Sequence, residues 1–306
     1  MVPGDRKMTT REELRRDGAA IRARLFAEEP EQEPADEFLG RLTDLVDELT
    51  YGAVWSRPGL ALPDRMIASL AALCAVQRLG QLRRHVAGAL DLGLSAQAIV
   101  EVFVQCGIYA GFPASEEAID LAGVVVAERG AGLPFEDSRP TSRNDLDALD
   151  DPAAQDDLSP PDDPAALDDS PPSDDRASLD ELMVRGRALL EELHGSRGYE
   201  GYAAPDNTVT GALYPLAIQY GYGEIWHRPG LDRRQRAIIA VAAFTALRLE
   251  GQVKKFGQSA LNVGLHPGEI IETVIQTGPY SGLAPALNAL AALSEVLKDR
   301  PGLDNP

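Results

Sequence analysis

The 306-residue sequence lacks several features that would indicate particular classes of protein. It has only two cysteines, Cys74 and Cys106, too few for a disulfide framework or a structural zinc site, so we expect reduced, buried thiols. No apolar run approaches the roughly eighteen residues of a membrane-spanning helix, so no membrane partner is expected. The N-terminus lacks the apolar stretch of a secretory signal, which makes the cytoplasm the expected location.

Basic clusters and cofactor motifs are also missing. The formal charge is −19, and no group of lysines and arginines forms the basic patch that nucleic acid binding requires. No set of His, Asp and Glu has metal-ligand spacing, and the sequence contains neither a glycine-rich phosphate loop nor a G-x-S-x-G motif. The sequence therefore predicts no nucleic acid partner, no metal and no other cofactor.

The negative charge is concentrated in one segment of the chain. Twelve aspartates and no lysine or arginine lie between Asn144 and Asp175, which supplies −12 of the net −19. Proline and serine fill much of the remainder, and such a segment cannot bury enough apolar surface to offset the entropy of ordering. We interpret residues 136–177 as a disordered linker that acts as a solvated spacer, with binding of a basic partner protein as the alternative.

The two flanking regions are copies of one another. With a constant offset of 171 residues, 51–111 and 222–282 share 24 of 61 positions without a gap. Upstream, the match is weaker and needs a shift of three residues, which places Gly18 over Gly186. Internal repetition of this extent indicates duplication. The sequence therefore predicts two tandem domains, at 9–135 and 178–300.

Each copy has the pattern of an all-α helical bundle. Apolar residues recur at three and four positions after Asp64, which is expected to cap a helix. Ser95 is expected to cap the apolar helix AQAIVEVFVQCGIYA. Ser178 and Glu181 have the spacing of a capping box, which marks the start of the second domain.

Several motifs in these helices carry a family resemblance. The first copy contains W-x-R-P-G-L, GQLRRHVAGALDLGL, a Glu-x-x-x-Gln helix and YAG; the second contains YGEIWHRPGL, ALNVGLHPGEIIETVIQ and PALNAL. In combination they resemble the γ-carboxymuconolactone decarboxylase family. The resemblance implies an all-α bundle that forms rings of three or six, so a fused pair would form a homo-oligomer of three chains that mimics a six-domain ring. It also implies lactone-acid decarboxylation without cofactor, peroxide reduction through a cysteine pair, or a biosynthetic tailoring reaction on a small-molecule substrate.

The peroxidase branch of this resemblance is disfavoured. Peroxide reduction needs a low-pKa thiolate with a resolving cysteine three residues away, in a C-x-x-C pair just before the shared histidine. Arg78 and Gln81 stand at those two positions before His85. The decarboxylase branch remains.

His85 is the first catalytic candidate. It lies at the edge of an apolar helical stripe and matches the family histidine, and an imidazole can deliver or remove a proton as a carboxylate departs. A satisfied core histidine is the alternative. The second copy has Phe256 at this position, so we favour the first copy as the catalytic one.

Glu101 and Gln105 lie one turn apart on an otherwise apolar helix, and Glu272 repeats the carboxylate in the second copy. A buried carboxylate needs a partner, and Arg65 and Arg236 are the expected ones. Glu101 is therefore either a structural ion-pair partner or a proton-handling group with a shifted pKa.

The remaining candidates for substrate binding come from the Arg-Pro-Gly turns and from two tyrosines. Arginine in the turn is suited to holding a substrate carboxylate beside a tryptophan wall, or else the turn serves subunit packing. Either tyrosine could stabilise an enolate oxygen or be an ordinary core residue. Glu224 matches a family glutamate that the first copy lacks. These candidates are Trp55, Arg57, Trp226, Arg228, Tyr109, Tyr280 and Glu224.

Three hypotheses for function follow. The first is a cofactor-free lyase that decarboxylates a small, cyclic, carboxylated compound, with His85 assisted by Tyr109 or Glu101. The second is a cyclase or isomerase that tailors a polyketide-like metabolite. The third is a non-catalytic scaffold or binding protein. Neither copy alone carries the full family set, so a single site built from both halves and a structural second half both remain open.

Overall fold

A computed structural model of the protein describes residues 10–26, 37–130, 177–199, 207–298 and 300. Within these ranges the secondary structure is helical and no strand is found, which confirms the all-α class. The predicted linker, 136–177, lies outside the described residues except for position 177.

The first half contains six helices within the described ranges. The second helix continues directly into a π-helical segment, Asp47–Trp55, which leads to the Arg-Pro-Gly turn. The helices are α1 Arg11–Leu25, α2 Glu37–Val46, α3 Leu62–Ala75, α4 Leu79–Asp91, α5 Ala96–Ala110 and α6 Phe112–Glu128.

The second half repeats this order. Its short α8 again continues into a π-helical segment, Ala217–Glu224, which is followed by a 3₁₀ turn, Ile225–His227. The helices are α7 Leu179–His194, α8 Tyr214–Leu216, α9 Arg233–Ala246, α10 Glu250–Asn262, α11 Pro267–Ser281 and α12 Leu283–Leu297.

Two glycines support the alignment of the weaker upstream segments. A Cβ atom at Gly18 would lie 2.2 Å from the carbonyl oxygen of Asp47, and one at Gly186 would lie 2.2 Å from that of Ile218. Asp47 and Ile218 are themselves 171 positions apart. Only glycine permits this close helix crossing, so α1 and α7 are equivalent elements that pack in the same way on their own halves.

Caps explain where several helices begin. Ser95 and Ser178 accept hydrogen bonds from the backbone N–H groups of Ala98 and Glu181, as predicted. The prediction for Asp64 is wrong, because α3 already begins at Leu62 with Pro63 in its first turn. Proline fits there since the first turn has N–H groups without helical acceptors. Asp64 lies inside the first turn instead and is buried.

The two halves share one hydrophobic core. Helix α3 packs against α9 and α11, and α5 packs against α9. The core is continuous from Met66 and Ile67 in the first half to Ile238 and Ile239 in the second. This packing places the N-terminal half of each half's central helix, α5 or α11, beside the Arg-Pro-Gly turn of the other half.

Candidate functional site

The Arg-Pro-Gly turn of the first half is clamped by a carboxylate from the second half. Arg57 donates from Nε and Nη2 to Glu272 at 2.7–3.1 Å. Arg65 has no exposed surface, and it donates to Glu272 at 2.7 Å, to Gln276 at 3.0 Å and to the carbonyl of Arg57 at 2.8 Å. The buried carboxylate is therefore neutralised by two guanidinium groups of the other half.

The same arrangement is repeated with the halves exchanged. Arg228 donates to Glu101 at 2.9 and 3.1 Å, and Arg236 donates to Glu101 at 3.1 Å and to Gln105 at 3.1 Å. Burial lowers the pKa of both Arg65 and Arg236, which their glutamate partners oppose. The expected Arg–Glu pairs thus form, and each one joins the two halves.

Glycine in the turn makes this clamp possible. Gly59 and Gly230 both have φ near +96°, a left-handed conformation that side chains rarely adopt. A Cβ at either position would also lie 3.4 Å from the Cγ atom of Glu272 or Glu101, respectively. The turn therefore lies directly on the carboxylate that closes it.

His85 lies in the first of two equivalent polar centres, and it meets a tyrosine of the second half there. Its Nε2 atom is 2.9 Å from the hydroxyl oxygen of Tyr280, and its Nδ1 atom is 2.8 Å from the carbonyl oxygen of Gln81. Because a carbonyl only accepts, the proton is on Nδ1, and Nε2 accepts from the Tyr280 hydroxyl. Trp55 donates its indole N–H to the same hydroxyl at 2.7 Å. This continuous chain of hydrogen bonds defines the first centre.

Apolar surroundings keep this histidine neutral. His85 has no exposed surface, and burial lowers its pKa to about 4, with a smaller contribution from the charge of Arg84. The ring of Phe26 packs edge-on against the imidazole at 5.4 Å. Burial also raises the pKa of Tyr280 well above its usual value. At neutral pH the pair is therefore an uncharged phenol that donates to an uncharged imidazole.

The second centre contains the equivalent tyrosine and tryptophan, Tyr109 and Trp226, but no histidine beside them. Trp226 and Gln105 each donate to the hydroxyl of Tyr109 at 3.1 Å. Phe256 lies at the place that the imidazole has in the first centre, 6.2 Å from the Tyr109 ring. The predicted catalytic trio of His85, Glu101 and Tyr109 is therefore not brought together, because the last two belong to the second centre.

No sequence motif indicates a role for His194, a histidine of the second half. It ends α7 at the position equivalent to Phe26, and its ring packs edge-on against Phe256 at 5.0 Å. Its Nε2 is 2.9 Å from the Tyr222 hydroxyl, and its Nδ1 is 2.7 Å from Ser259 Oγ. The histidine–phenylalanine pair is thus present in both halves with its members exchanged between two helices. The shift of three residues in the upstream alignment was the available signal.

A cavity of about 340 Å³ opens between the halves, and Tyr280 forms part of its wall. It lies where α3 and α9 end, and two arginines line it, one from each half. Its lining residues are Val76, Arg78, Ala246, Leu247, Arg248, Tyr280 and Ser281. The volume is at the lower end of small-molecule sites. A small ligand in this space would lie against the first centre.

Glu224 and the two cysteines lie apart from these networks. Glu224 is half-buried at the end of its π-helical segment, and no hydrogen bond or ion pair is found for it among the described residues. Cys74 and Cys106 are free and buried, as expected. Its interaction with the neighbouring Cys74 side chain, together with burial, raises the pKa of Cys106, which opposes the thiolate that peroxide reduction needs.

The described ranges contain neither a candidate metal site nor a candidate membrane span. No group of three or more His, Cys, Asp or Glu side chains in those ranges is arranged to hold a metal ion. None of the helices described there is both long and apolar enough to cross a membrane.

The fold and the two centres define an all-α protein built from two interlocked copies of one helical unit. The model of the carboxymuconolactone decarboxylase family matches both copies, at residues 41–123 and 212–295. The chain therefore belongs to the carboxymuconolactone decarboxylase family, and it carries the family domain twice.

Individual relatives share part of this chain. A 4-carboxymuconolactone decarboxylase of Acinetobacter baylyi is 32% identical over 98 residues, which cover 32% of this chain and 73% of the relative. A nitrosuccinic acid decarboxylase of Metarhizium robertsii is 25% identical over 118 residues, 39% of this chain and 82% of the relative. An uncharacterised protein of Paracoccus denitrificans is 31% identical over 83 residues, 26% of this chain and 62% of the relative. Two of these relatives are thus named as decarboxylases.

Proposed function

We propose that the protein is a cofactor-independent lyase that decarboxylates a small carboxylated compound at its first centre. The observation that carries this proposal is the hydrogen bond from the Tyr280 hydroxyl to His85 Nε2, at the wall of the cavity between the halves. The names of two relatives support the same reaction class.

In the proposed reaction, the carbon–carbon bond to the carboxylate breaks, CO2 leaves, and the electron pair stays on the substrate as an enolate or carbanion. A proton must then reach that carbon. His85 and Tyr280 form a relay: the imidazole, which takes up a proton on Nε2 when the anionic substrate binds, passes that proton to the tyrosine as the tyrosine gives its own to the substrate carbon, and the imidazole returns to its neutral form. An anionic substrate beside the pair raises the pKa of His85, so proton uptake accompanies binding.

The other side chains of the first centre position this pair. Trp55 fixes the Tyr280 hydroxyl by donating to it, and the clamp of Arg57, Arg65 and Glu272 holds the turn that directly follows Trp55. Because the Arg57 guanidinium is already paired with Glu272, we assign Arg57 a positioning role and do not assign it the role of anchoring a substrate carboxylate. We assign the matching residues Trp226, Arg228 and Glu101 to the corresponding turn of the second centre.

The test is CO2 release by the full chain from 4-carboxymuconolactone and from nitrosuccinate, compared with His85→Gln. Histidine acid–base catalysis contributes about 10²- to 10⁴-fold, so a loss of that size is expected. Lys254→Gln is the matched surface control. Equal CO2 release by wild type and His85→Gln would overturn the proposal. Deuterium uptake into the substrate without CO2 would identify an isomerase-type reaction at the same pair.

We further propose that chains associate through apolar stripes that both halves expose. Leu42, Leu45 and Leu49 lie on one face of α2 and its π-helical continuation, with 50, 50 and 38% of their surface exposed. The equivalent positions in the second half are Leu213, Leu216 and Tyr220, at 73, 48 and 45%. A stripe repeated on both halves suits a closed ring of three chains, because every chain then offers two similar contact faces.

A further inference from the structure

The cavity beside Tyr280 contains two positive charges and no negative one. Arg78 and Arg248 are its charged lining residues, and both side chains are solvent-exposed. Neither guanidinium has a hydrogen bond or ion pair within the described ranges, whereas Arg57, Arg65 and Arg228 are engaged by glutamates. Two arginines without a counter-charge in the lining of one small cavity favour an anionic ligand.

Arg248 adopts a strained backbone conformation. Its φ is +62°, and the equivalent Gln77 has φ of +54°; they are the two non-glycine residues with positive φ among those described. Both follow a helix end, α3 or α9, where glycine is the usual residue in this conformation. The chain uses glycine at other left-handed positions after helices, such as Gly93 and Gly264. A side chain has therefore been kept at these two positions against its conformational cost.

The reason for the side chain differs between the two halves. Gln77 donates from its amide to the carbonyls of Cys74 at 2.9 Å and Ala114 at 3.1 Å, which fastens the turn to α6. Arg248 makes no comparable bond within the described part of the chain and lines the cavity instead. Local structure accounts for the strained glutamine but not for the strained arginine.

Arg78 completes the pair from the other half. It follows Gln77, at the position where the second half has Leu249. Its backbone N–H bonds to the carbonyl of Leu73 at 3.0 Å and closes the same turn, as that of Leu249 does with Phe244. The two arginines thus come from neighbouring, non-equivalent positions of two equivalent turns, and each half contributes one.

We propose that Arg78 and Arg248 form an anion clamp that binds a carboxylate of the ligand while the rest of the ligand lies against Tyr280. The proposal extends the proposed function, since it assigns the anchor of the substrate's charge. Recognition of the anion itself does not depend on the reaction. The clamp belongs to the interface between the halves, so neither family domain has it alone.

The experiment is calorimetric titration of the full-length protein with malonate, with malonamide as the uncharged control of similar shape. Arg248→Gln and Arg78→Leu each install the residue of the other half, which suits the same turn. Each substitution is expected to weaken malonate binding by about tenfold or more, the usual effect of one charge-assisted contact. Malonamide should not bind measurably to any of these proteins.

Three further variants separate the possible explanations. Arg83→Gln removes an exposed arginine outside the cavity, so it should leave malonate binding unchanged. Arg248→Lys should restore part of the affinity. Arg248→Gly relieves the strained backbone, so it should unfold at a temperature no lower than wild type while losing malonate affinity; that result excludes misfolding as the cause.

Failure of this proposal is distinguishable from failure of the proposed function. Wild-type protein that does not bind malonate, or that binds it equally well after Arg248→Gln and Arg78→Leu, overturns the clamp. Arginine-dependent malonate binding without CO2 release from either substrate keeps the clamp and overturns the lyase.

Discussion

Tyr280 donates its hydroxyl proton to Nε2 of His85, across 195 positions of the chain and from one half of the protein to the other. The first centre therefore takes its imidazole from one family domain and its phenol from the second. The second centre is composed in the opposite sense, around Tyr109 and Trp226. This exchange determines which substitutions should affect activity and which should affect only stability.

Removal of the phenol should separate the two centres. Tyr280→Phe is expected to reduce CO2 release by about 10²-fold, since the relay loses the group that contacts the substrate. Tyr109→Phe removes the equivalent phenol from a centre without an imidazole, so activity per folded molecule should change by less than about threefold. Initial rates at matched folded concentration measure both. A similar loss in the two variants would contradict the assignment of catalysis to the first centre.

Acid should destabilise the protein partly through His85. The pKa of this imidazole is about 4 in the fold, against 6.5 for an ordinary histidine. Between these pH values the imidazole is protonated in the unfolded chain but not in the native protein. The free energy of unfolding therefore falls as pH is lowered from 6.5 to 4. The shift corresponds to about 3 kcal/mol. Urea titrations at pH 7 and pH 4 measure how far the free energy of unfolding falls between these two values. The fall should be about 3 kcal/mol smaller in His85→Phe than in wild type, and an equal fall in both proteins would refute this account.

The glutamates that join the halves should be required for stability. Glu272→Ala and Glu101→Ala each leave buried arginines without a counter-charge, because Arg65 and Arg236 have no exposed surface. We expect the free energy of unfolding to fall by about 3–5 kcal/mol in each variant. Glu128→Ala, which removes the exposed partner of Arg83, should cost less than about 1 kcal/mol. Chemical denaturation checks all three, and a small effect at Glu272 would argue against a structural clamp.

The exchanged histidine–phenylalanine pair permits a transplant into the second centre. A phenylalanine at position 194 needs the space that Gly88 gives Phe26, where a Cβ would lie 2.9 Å from a ring carbon. The triple substitution His194→Phe, Phe256→His and Ser259→Gly should therefore place an imidazole beside Tyr109. Added to His85→Phe, it should restore CO2 release above the background of that single variant. No recovery in the folded quadruple variant would show that the second centre lacks more than its imidazole.

Charge introduced into the exposed stripes should separate the chains. Leu45→Asp and Leu216→Asp each place a carboxylate on an apolar face that is about half exposed. If three chains form a ring through these faces, light scattering should give the mass of three chains for wild type and of one for the double variant. Leu287→Asp, on an exposed face of α12, is the matched control and should leave the mass unchanged. A wild-type monomer would contradict the proposed association.

Local signals were readable in the sequence, whereas pairing between the halves was not. Ser95 and Ser178 marked helix starts correctly because capping depends on a few neighbouring residues. The prediction that Asp64 caps α3 is wrong because Pro63, a neighbouring residue, allows the helix to begin earlier. Tyr109 and Tyr280 occupy equivalent positions of the repeat, so the sequence does not distinguish between them. No spacing within one copy indicates that His85 contacts Tyr280.

Histidine 194 illustrates a different limit. The offset of 171 compares His85 with Phe256, and only the upstream offset of 168 brings His194 over Phe26. In the sequence, the change from phenylalanine to histidine at position 194 and the change from histidine to phenylalanine at position 256 appear unrelated. The structure connects them, because His194 packs on Phe256. Contacts of this kind depend on tertiary packing, which periodicity alone does not describe.

The interlocking of the halves through Glu101 and Glu272 also affects how the protein can vary. In a symmetric homodimer every mutation appears twice, so both centres gain or lose a side chain together. Here both halves are encoded in one chain, and a substitution such as phenylalanine at position 256 alters one centre while the other keeps its imidazole. In a fused chain, unlike in a pair of identical subunits, one centre can therefore keep its catalytic residues while the other accumulates substitutions. The altered half remains folded because each half still supplies the carboxylate that pairs with the buried arginines of the other.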